Sequence, residues 1–427
     1  MHLLRGAVRN YAWGSRTALA DFAGRPSPSA HPEAELWLGA NPGDPARLET
    51  ADGEVSLLDV IRADPAGELG PEVVARFGES LPFLAKVLAA DEPLSLQAHP
   101  SAEQAAEGFN REERQGIALN ARNRNYRDRS HKPELIVALG PFEALAGFRP
   151  VARTVELMRA LAVSDLDPYI NLLAGQSDAA GLRAVFTTWI TLPQPDLDVL
   201  VPAVLDGAVN YIRSGATEFA PEAKTVLELG ERYPGDAGVL AAMLLNRISL
   251  VEGEGIYLPA GNLHAYLHGM GFEVMANSDN VLRGGLTPKH VDVPELLRVL
   301  DFTPTDGRPI HPRPADDGVE EVFDTPAPEF AVTILRIDDD PVVPGDPAVR
   351  QVDLSRRLVP GEILQQRVEV VGTLPTGGTK RLGRDKARGE VLFISNNNQP
   401  VTVPRGTIVV STTNVRFATD QDVQVLP

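Results

Sequence analysis

The stretch Leu94-Ser95-Leu96-Gln97-Ala98-His99-Pro100 constrains the chain most, because its alternation of apolar and polar residues reads as a half-buried β-strand. Side chains two apart share one face of a strand, so Ser95, Gln97 and His99 point together while Leu94, Leu96 and Ala98 point into packing. Three polar side chains turned inward need a partner, since an unpaired buried polar group costs free energy. His99 closes the run and can ligate a metal.

A second piece lies far downstream, where Gly253-Glu254-Gly255-Ile256-Tyr257-Leu258-Pro259-Ala260-Gly261-Asn262-Leu263-His264 has the form GxxxxxPxGxxH. It resembles the second motif of the cupin barrels. Glycine and proline make a tight turn between two strands, and the turn delivers His264 to the interior. The first cupin motif usually supplies two histidines and a nearby carboxylate, whereas this chain offers Gln97-Ala98-His99 and no immediate acid. The candidate acid is Glu134 in His131-Lys132-Pro133-Glu134-Leu135-Ile136-Val137-Ala138-Leu139, a segment that again reads as a strand, with Lys132 and Glu134 on its inner face. Gln97, His99, Glu134 and His264 then make an all N/O donor set, which suits zinc and leaves room for water or substrate. By chemistry alone Gln97 also fits an amide that merely supports a ligand, and Glu134 a simple ion pair with Lys132. One carboxylate leaves such a site cationic, as a Lewis acid that stabilises an enediolate or polarises a carbonyl must be.

Taken together, these segments resemble the type I mannose-6-phosphate isomerases, zinc enzymes built from cupin barrels. The resemblance also rests on Tyr11-Ala12-Trp13-Gly14-Ser15, Ala34-Glu35-Leu36-Trp37-Leu38-Gly39 and Leu81-Pro82-Phe83-Leu84-Ala85-Lys86-Val87-Leu88. It continues through Asn125-Tyr126-Arg127-Asp128, Tyr233-Pro234-Gly235-Asp236 and the run from Asp279 to Lys289, and so covers roughly the first 300 residues. It implies that Gln97, His99, Glu134 and His264 bind one zinc ion per chain and that Arg283 is the catalytic arginine. Ser95, Lys132, Glu273, Asp279 and Lys289 match polar residues of the family's substrate cleft. Two departures are local: Ser101-Ala102 stand where the family usually has Asp and Lys, and Ser130 where it usually has Asn.

The reaction implied is the interconversion of mannose 6-phosphate and fructose 6-phosphate by proton transfer between carbons 1 and 2. It feeds mannose into glycolysis or supplies mannose 6-phosphate for mannose donors. The base is open between Lys132 and Glu273. Lys86, Ser95, Lys289 and Asp279 are the expected substrate contacts, with Ser95 and Lys289 on the phosphate side. Two other classes compete. An iron dioxygenase would place its acid close to the first histidine, and a non-catalytic sugar-binding double cupin would need no cationic pocket beside an open metal.

Composition fits an enzyme of this kind without identifying it. A chain of 427 residues, 43% hydrophobic, is long enough for two or three cored domains. A net charge of −18 argues against nucleic acid, and an anionic sugar phosphate would need the local cations Lys86, Lys132, Arg283 and Lys289. There is no cysteine, no apolar core in the first residues and no run of membrane-spanning length. A cytoplasmic monomer bound to neither membrane nor nucleic acid is the expectation.

The expected fold is mainly β: two cupin jelly-roll barrels with an inserted α-helical domain. Residues 1–150 and 251–318 would form the zinc-binding cupin domain, 151–250 the helical insertion and 319–427 a metal-free cupin-like domain. The first 150 residues read as strands and turns, with a short helix opened by the Ser101-Ala102-Glu103-Gln104 capping box. Helical spacing runs from Thr154 to Leu161 and again from Asp236 to Ile248, and strand signals return at Gly255. The tail alternates over Phe330–Arg336, with weak turn echoes at Gly389–Phe393 and Gly406–Val410. The arginine-rich run from Arg111 to Arg129 reads as a solvated loop, and Trp13 and Trp37 as packing anchors.

Overall fold

The computed structural model describes residues 3–51, 53–315 and 320–335, together with four short strands nearer the C-terminus. In chain order the first part runs β1 (Leu3–Arg5), β2 (Ala7–Arg9), α1 (Ala18–Phe22), β3 (Glu35–Leu38), β4 (Arg47–Thr50) and β5 (Gly53–Ser56). It goes on through α2 (Leu57–Ala63), α3 (Pro65–Leu69), α4 (Pro71–Phe77), β6 (Phe83–Ala90), β7 (Leu96–Ala98), α5 (Ala102–Arg114) and β8 (Glu134–Phe148). Helices follow as α6 (Val151–Ala160), α7 (Asp167–Gly175), α8 (Ala179–Ile190), α9 (Gln194–Arg213), α10 (Ala220–Arg232) and α11 (Gly238–Ala242). The sheet resumes with β9 (Leu245–Leu250), β10 (Gly255–Leu258), β11 (His264–Ala276) and β12 (Leu282–Gly285), then α12 (Val293–Val299), β13 (Arg313–Pro314), β14 (Glu320–Phe323) and β15 (Val332–Leu335).

Among the described residues the fold is sheet-rich with a large helical component. Its centre is a nine-stranded sheet of order β10-β8-β11-β6-β3-β2, with β9 on β8 and with β7 bridging β11 and β12. Every pairing is antiparallel. Alternation sorts the side chains of β7, β11 and β12. Leu96 and Ala98, Leu263, Ala265 and Leu267, and Leu282 enter one core, shared with Trp189, Phe186 and Leu240 of the helices. Gln97, His264 and Arg283 alternate with those residues and lie on the other face. There a second core of Leu88, Ala90, Ile136, Ala146 and Tyr266 lines the sheet.

Several elements differ from the sequence reading. The strand expected over Leu94–Pro100 is regular only over Leu96–Ala98, although the Leu94 amide still donates to the Tyr266 carbonyl of β11 at 2.8 Å. Four short helices, α1 at Ala18–Phe22 and α2 to α4 between Leu57 and Phe77, stand among the strands of a region where only strands and turns were expected. Ser56 caps α2, Asp64 caps α3, and prolines open α3 and α4. The capping box at Ser101 is formed with Gln104 as expected, so that departure from the family pattern serves to start α5. Between Asp236 and Ile248 only Gly238–Ala242 is helical. Leu245–Leu250 is a strand, because its alternating side chains pair with β8 across a Phe148–Leu245 register.

The arginine run is not uniformly solvated. Arg124 is 6% exposed and held by Glu112 and Glu113, while Arg111 pairs with Glu295 at 2.6 Å. Trp13 does pack, against the second core. Of the alternation over Phe330–Arg336, Val332–Leu335 forms β15, and Arg336 lies outside the described residues. Most of the expected second barrel over 319–427, with Gly389–Phe393, lies outside the described residues. The four short strands are β16 (Val401–Val403), β17 (Ile408–Val410), β18 (Arg416–Ala418) and β19 (Val423–Val425), paired β16 with β19 and β17 with β18. No helix among the described residues is long and apolar enough to cross a membrane.

Phe148 closes β8 and joins sheet to helices. It is fully buried, stacks on Phe302 at 4.7 Å and meets Phe186 edge-on at 5.9 Å. Phe148→Ala should cost about 3–5 kcal/mol in chemical denaturation. A loss below about 1 kcal/mol would mean that the helices do not depend on this contact.

Candidate metal centre

The turn ahead of β11 sets the first ligand. Gly261 has φ +78°, a conformation that favours glycine, and a Cβ there would stand 2.9 Å from the Val299 carbonyl. Its amide donates to the His99 carbonyl at 2.8 Å, tying the turn to the end of β7. His264 follows as the first residue of β11, directly opposite Gln97, and Gln97 is directly opposite Arg283. Opposed residues of paired strands share a face, so Arg283, Gln97 and His264 form one transverse row.

His99, Glu134 and His264 converge, each no more than 2% exposed, with their ligand atoms all within 4.8 Å of one another. His99 Nε2 lies 3.3 Å from Glu134 Oε1 and His264 Nε2 lies 3.4 Å from Glu134 Oε2. Both Nδ1 atoms are engaged with backbone carbonyls, His99 with Asn280 at 2.8 Å and His264 with Asn262 at 3.0 Å. Donation from Nδ1–H leaves each Nε2 lone pair facing inward. Neither Nε2, nor Glu134 Oε2, has a hydrogen-bond partner among the described residues. A buried polar atom left unsatisfied costs about 1–3 kcal/mol, so three converging on one point fit a cation between them.

The charge states agree with that fit. Burial pushes the His99 imidazole down to about 4, keeping it neutral. Burial works to raise Glu134, but the neighbouring His99 and the Lys132 ammonium outweigh it and hold the carboxyl well below the usual range. Lys132 Nζ touches Glu134 Oε1 at 2.9 Å, so the ion pair considered for Glu134 exists, while Oε2 stays open.

A second row crosses the same face: Trp37, Lys86, Glu273 and Ile136 are register partners on β3, β6, β11 and β8. Lys86 Nζ lies 3.4 Å from Glu273 and 3.6 Å from Glu35. Tyr266 donates to Glu273 Oε1 at 2.6 Å, and the Trp37 indole donates to Glu35 at 2.7 Å. Trp37 therefore orients a carboxylate rather than only packing. Burial pushes the Glu273 carboxyl up, against the Lys86 charge. Lys86 is itself raised, because the attraction of Glu35 and Glu273 exceeds its burial penalty.

Arg283 is half-buried, and Lys289 is exposed as a residue while its ammonium end is partly shielded from water. Burial, then the charge of Arg127, lowers Arg283; burial, then Arg283 and Arg127, lowers Lys289. Three cations thus gather without an ion pair between Arg283 and Asp279. Asp279 instead accepts from Asn41 at 3.3 Å, and its amide donates to Asp128. Ser95 sits half-buried two residues before Gln97.

Arg127, Tyr266, Glu35 and Asn280 belong to these clusters and were not singled out from sequence, although Glu35, Arg127 and Asn280 stand in motif segments. Asn280 is fully buried. Its Oδ1 accepts from the Arg127 amide at 2.7 Å, its Nδ2 donates to the Asp128 and Ser130 carbonyls at 3.0 and 2.9 Å, and its own carbonyl engages His99. Asn280→Ala should weaken divalent-cation affinity about 10–100-fold, measured by competition with a chromogenic chelator. Unchanged affinity would show that His99 needs no such support.

Residues 1–151 match the family described as phosphomannose isomerase type I, catalytic domain. The chain is 37% identical over 407 residues to the mannose-6-phosphate isomerase of Escherichia coli (strain K12), covering 94% of this chain and 97% of that protein. It is 32% identical over 422 residues to the human mannose-6-phosphate isomerase, covering 92% of each. A crystal structure of zinc-bound mannose 6-phosphate isomerase superposes with a TM-score of 0.70 at 39% identity, covering 78% of this chain and 82% of that one. With a buried His99-Glu134-His264 group able to hold a metal ion, the chain belongs to the type I phosphomannose isomerases, the mannose-6-phosphate isomerase family.

Proposed function

We propose that this chain interconverts D-mannose 6-phosphate and D-fructose 6-phosphate through an enediolate, with one zinc ion held by His99, Glu134, His264 and Gln97. The observation that carries the reading is the convergence of three buried, unsatisfied ligand atoms beside a buried Lys86–Glu273 pair. Bound zinc would supply Lewis acidity toward the sugar oxygens at carbons 1 and 2. Gln97 as fourth donor is supported by its place opposite His264. The zinc-bound structure of a relative supports the choice of metal.

The chain's own residues divide the remaining work. Glu273 takes the proton from one carbon and returns it to the next; its upward shift makes it a stronger base than an ordinary carboxylate. Tyr266 donates to one of its oxygens and Lys86 lies beside the other, which fixes the orientation of the carboxylate. Lys132 balances the Glu134 charge. Arg283 lies in the ligand row and offsets the negative charge that develops on the enediolate, Lys289 with Ser95 meets the phosphate end, and Asp279, held by Asn41, lines the substrate cleft. Arg127 adds a third cation to that end, in a protein of net charge −18.

The finer architecture follows the same reading. The sheet is the wall of a cupin jelly roll, supported by the Gly-Pro turn before His264. The helices form an insertion, supported by Phe148 and Leu245 being register partners on either side of it. The cysteine-free sequence fits a cytoplasmic enzyme.

Two outcomes are expected. With mannose 6-phosphate deuterated at carbon 2, NMR should show solvent protons entering product, and Glu273→Gln should abolish both turnover and exchange; full retention of deuterium would exclude an exchangeable base. The acid limb of kcat/KM should lie above the usual carboxylate range, since protonating Glu273 as pH falls through its raised pKa removes the base. Lys86→Met removes the charge that holds this pKa down, so the limb should move to still higher pH; a limb that does not move would assign it to another group.

A further inference from the structure

Asp236 lies between α10 and α11, yet its carboxylate serves the segment that follows Arg283. Its Oδ1 accepts from the amides of Gly238 at 2.7 Å and Leu286 at 2.9 Å, and its Oδ2 accepts from the amide of Thr287 at 3.1 Å. The held segment follows a path the chain does not take freely. Leu286 has φ +55° and Gly285 φ +122°, and a left-handed conformation is costly for a bulky residue. Backbone meets backbone here: a Cβ on Gly238 would stand 2.6 Å from the Leu286 nitrogen, and one on Gly285 2.8 Å from the Gly238 Cα. The ladder between β7 and β12 is irregular between Arg283 and Gly285, so the strand turns where the clamp begins.

We propose that Asp236 is a positioning residue for catalysis. By holding Gly285–Thr287 in this path, it fixes the β12 backbone that presents Arg283 opposite Gln97 and starts the turn that carries Lys289. The helical run thereby contributes to the active site without touching substrate. The inference rests on the isomerase reading, in which Arg283 acts on the enediolate.

A double-mutant cycle tests it. Zinc-loaded full-length wild type, Asp236→Ala, Arg283→Ala and the double variant are assayed for kcat and KM with mannose 6-phosphate, with bound zinc and Tm measured on each. Asp236→Ala should lower kcat by about a hundredfold at unchanged zinc content, as expected of a small displacement of a catalytic group. In the Arg283→Ala background the same substitution should change kcat by less than about twofold. Losses that multiply in the double variant, or an unchanged kcat in Asp236→Ala, would overturn the proposal. If Asp236→Ala does not fold, Asp236→Asn, which keeps one acceptor oxygen, enters the cycle under the same criteria. An inactive wild type would reject the isomerase reading instead. The clamp is then decided by amide exchange at Leu286 and Thr287, which must be slow in wild type and fast in Asp236→Ala; equal rates would reject it.

Discussion

Two imidazoles and a carboxylate, buried together with their ligand atoms unsatisfied, are the constraint on which the rest of the structure depends. Such a group is unfavourable in an apolar interior, and three contacts fix its members in place. The Gly261 turn fixes the start of β11, the Asn280 carbonyl fixes the His99 ring, and Lys132 holds one oxygen of Glu134. Alternation in β7, β11 and β12 then does two things at once. One set of side chains anchors the strands in the helical core, and the other set, Gln97, His264 and Arg283, is thereby forced onto the metal face.

Charge follows the same division. The protein as a whole is acidic, but the face around the metal group pairs its carboxylates with Lys86 and Lys132 and leaves Arg127, Arg283 and Lys289 grouped nearby. That arrangement suits an anionic substrate. The Lys86–Glu273–Tyr266 network stands between buried apolar side chains, where a carboxylate keeps a raised pKa because water does not stabilise its charge.

The metal group was largely legible in the sequence, because a polar alternation ending in His99 and a turn ending in His264 are local signals. Glu134 was legible only through its strand context and the family resemblance, since nothing within the segment says what it faces. Tyr266 was missed: it alternates correctly with His264, but an aromatic on a strand reads as packing until its partner Glu273 is known. Asn280 and Arg127 were missed for a different reason, because their roles come from contacts that join segments some 150 residues apart. The early helices escaped because helices of five to seven residues carry too little apolar periodicity to stand out from turns. Leu245–Leu250 was taken into a helix because a short apolar run is ambiguous until its partner strand is known.

The most direct measurement is fructose 6-phosphate formation from mannose 6-phosphate in a coupled assay, on purified protein before chelation, after it, and with zinc restored. The account predicts turnover that is lost on chelation and returns with zinc in step with one ion bound per chain. Fully metallated protein without turnover, or turnover indifferent to chelation, would contradict it.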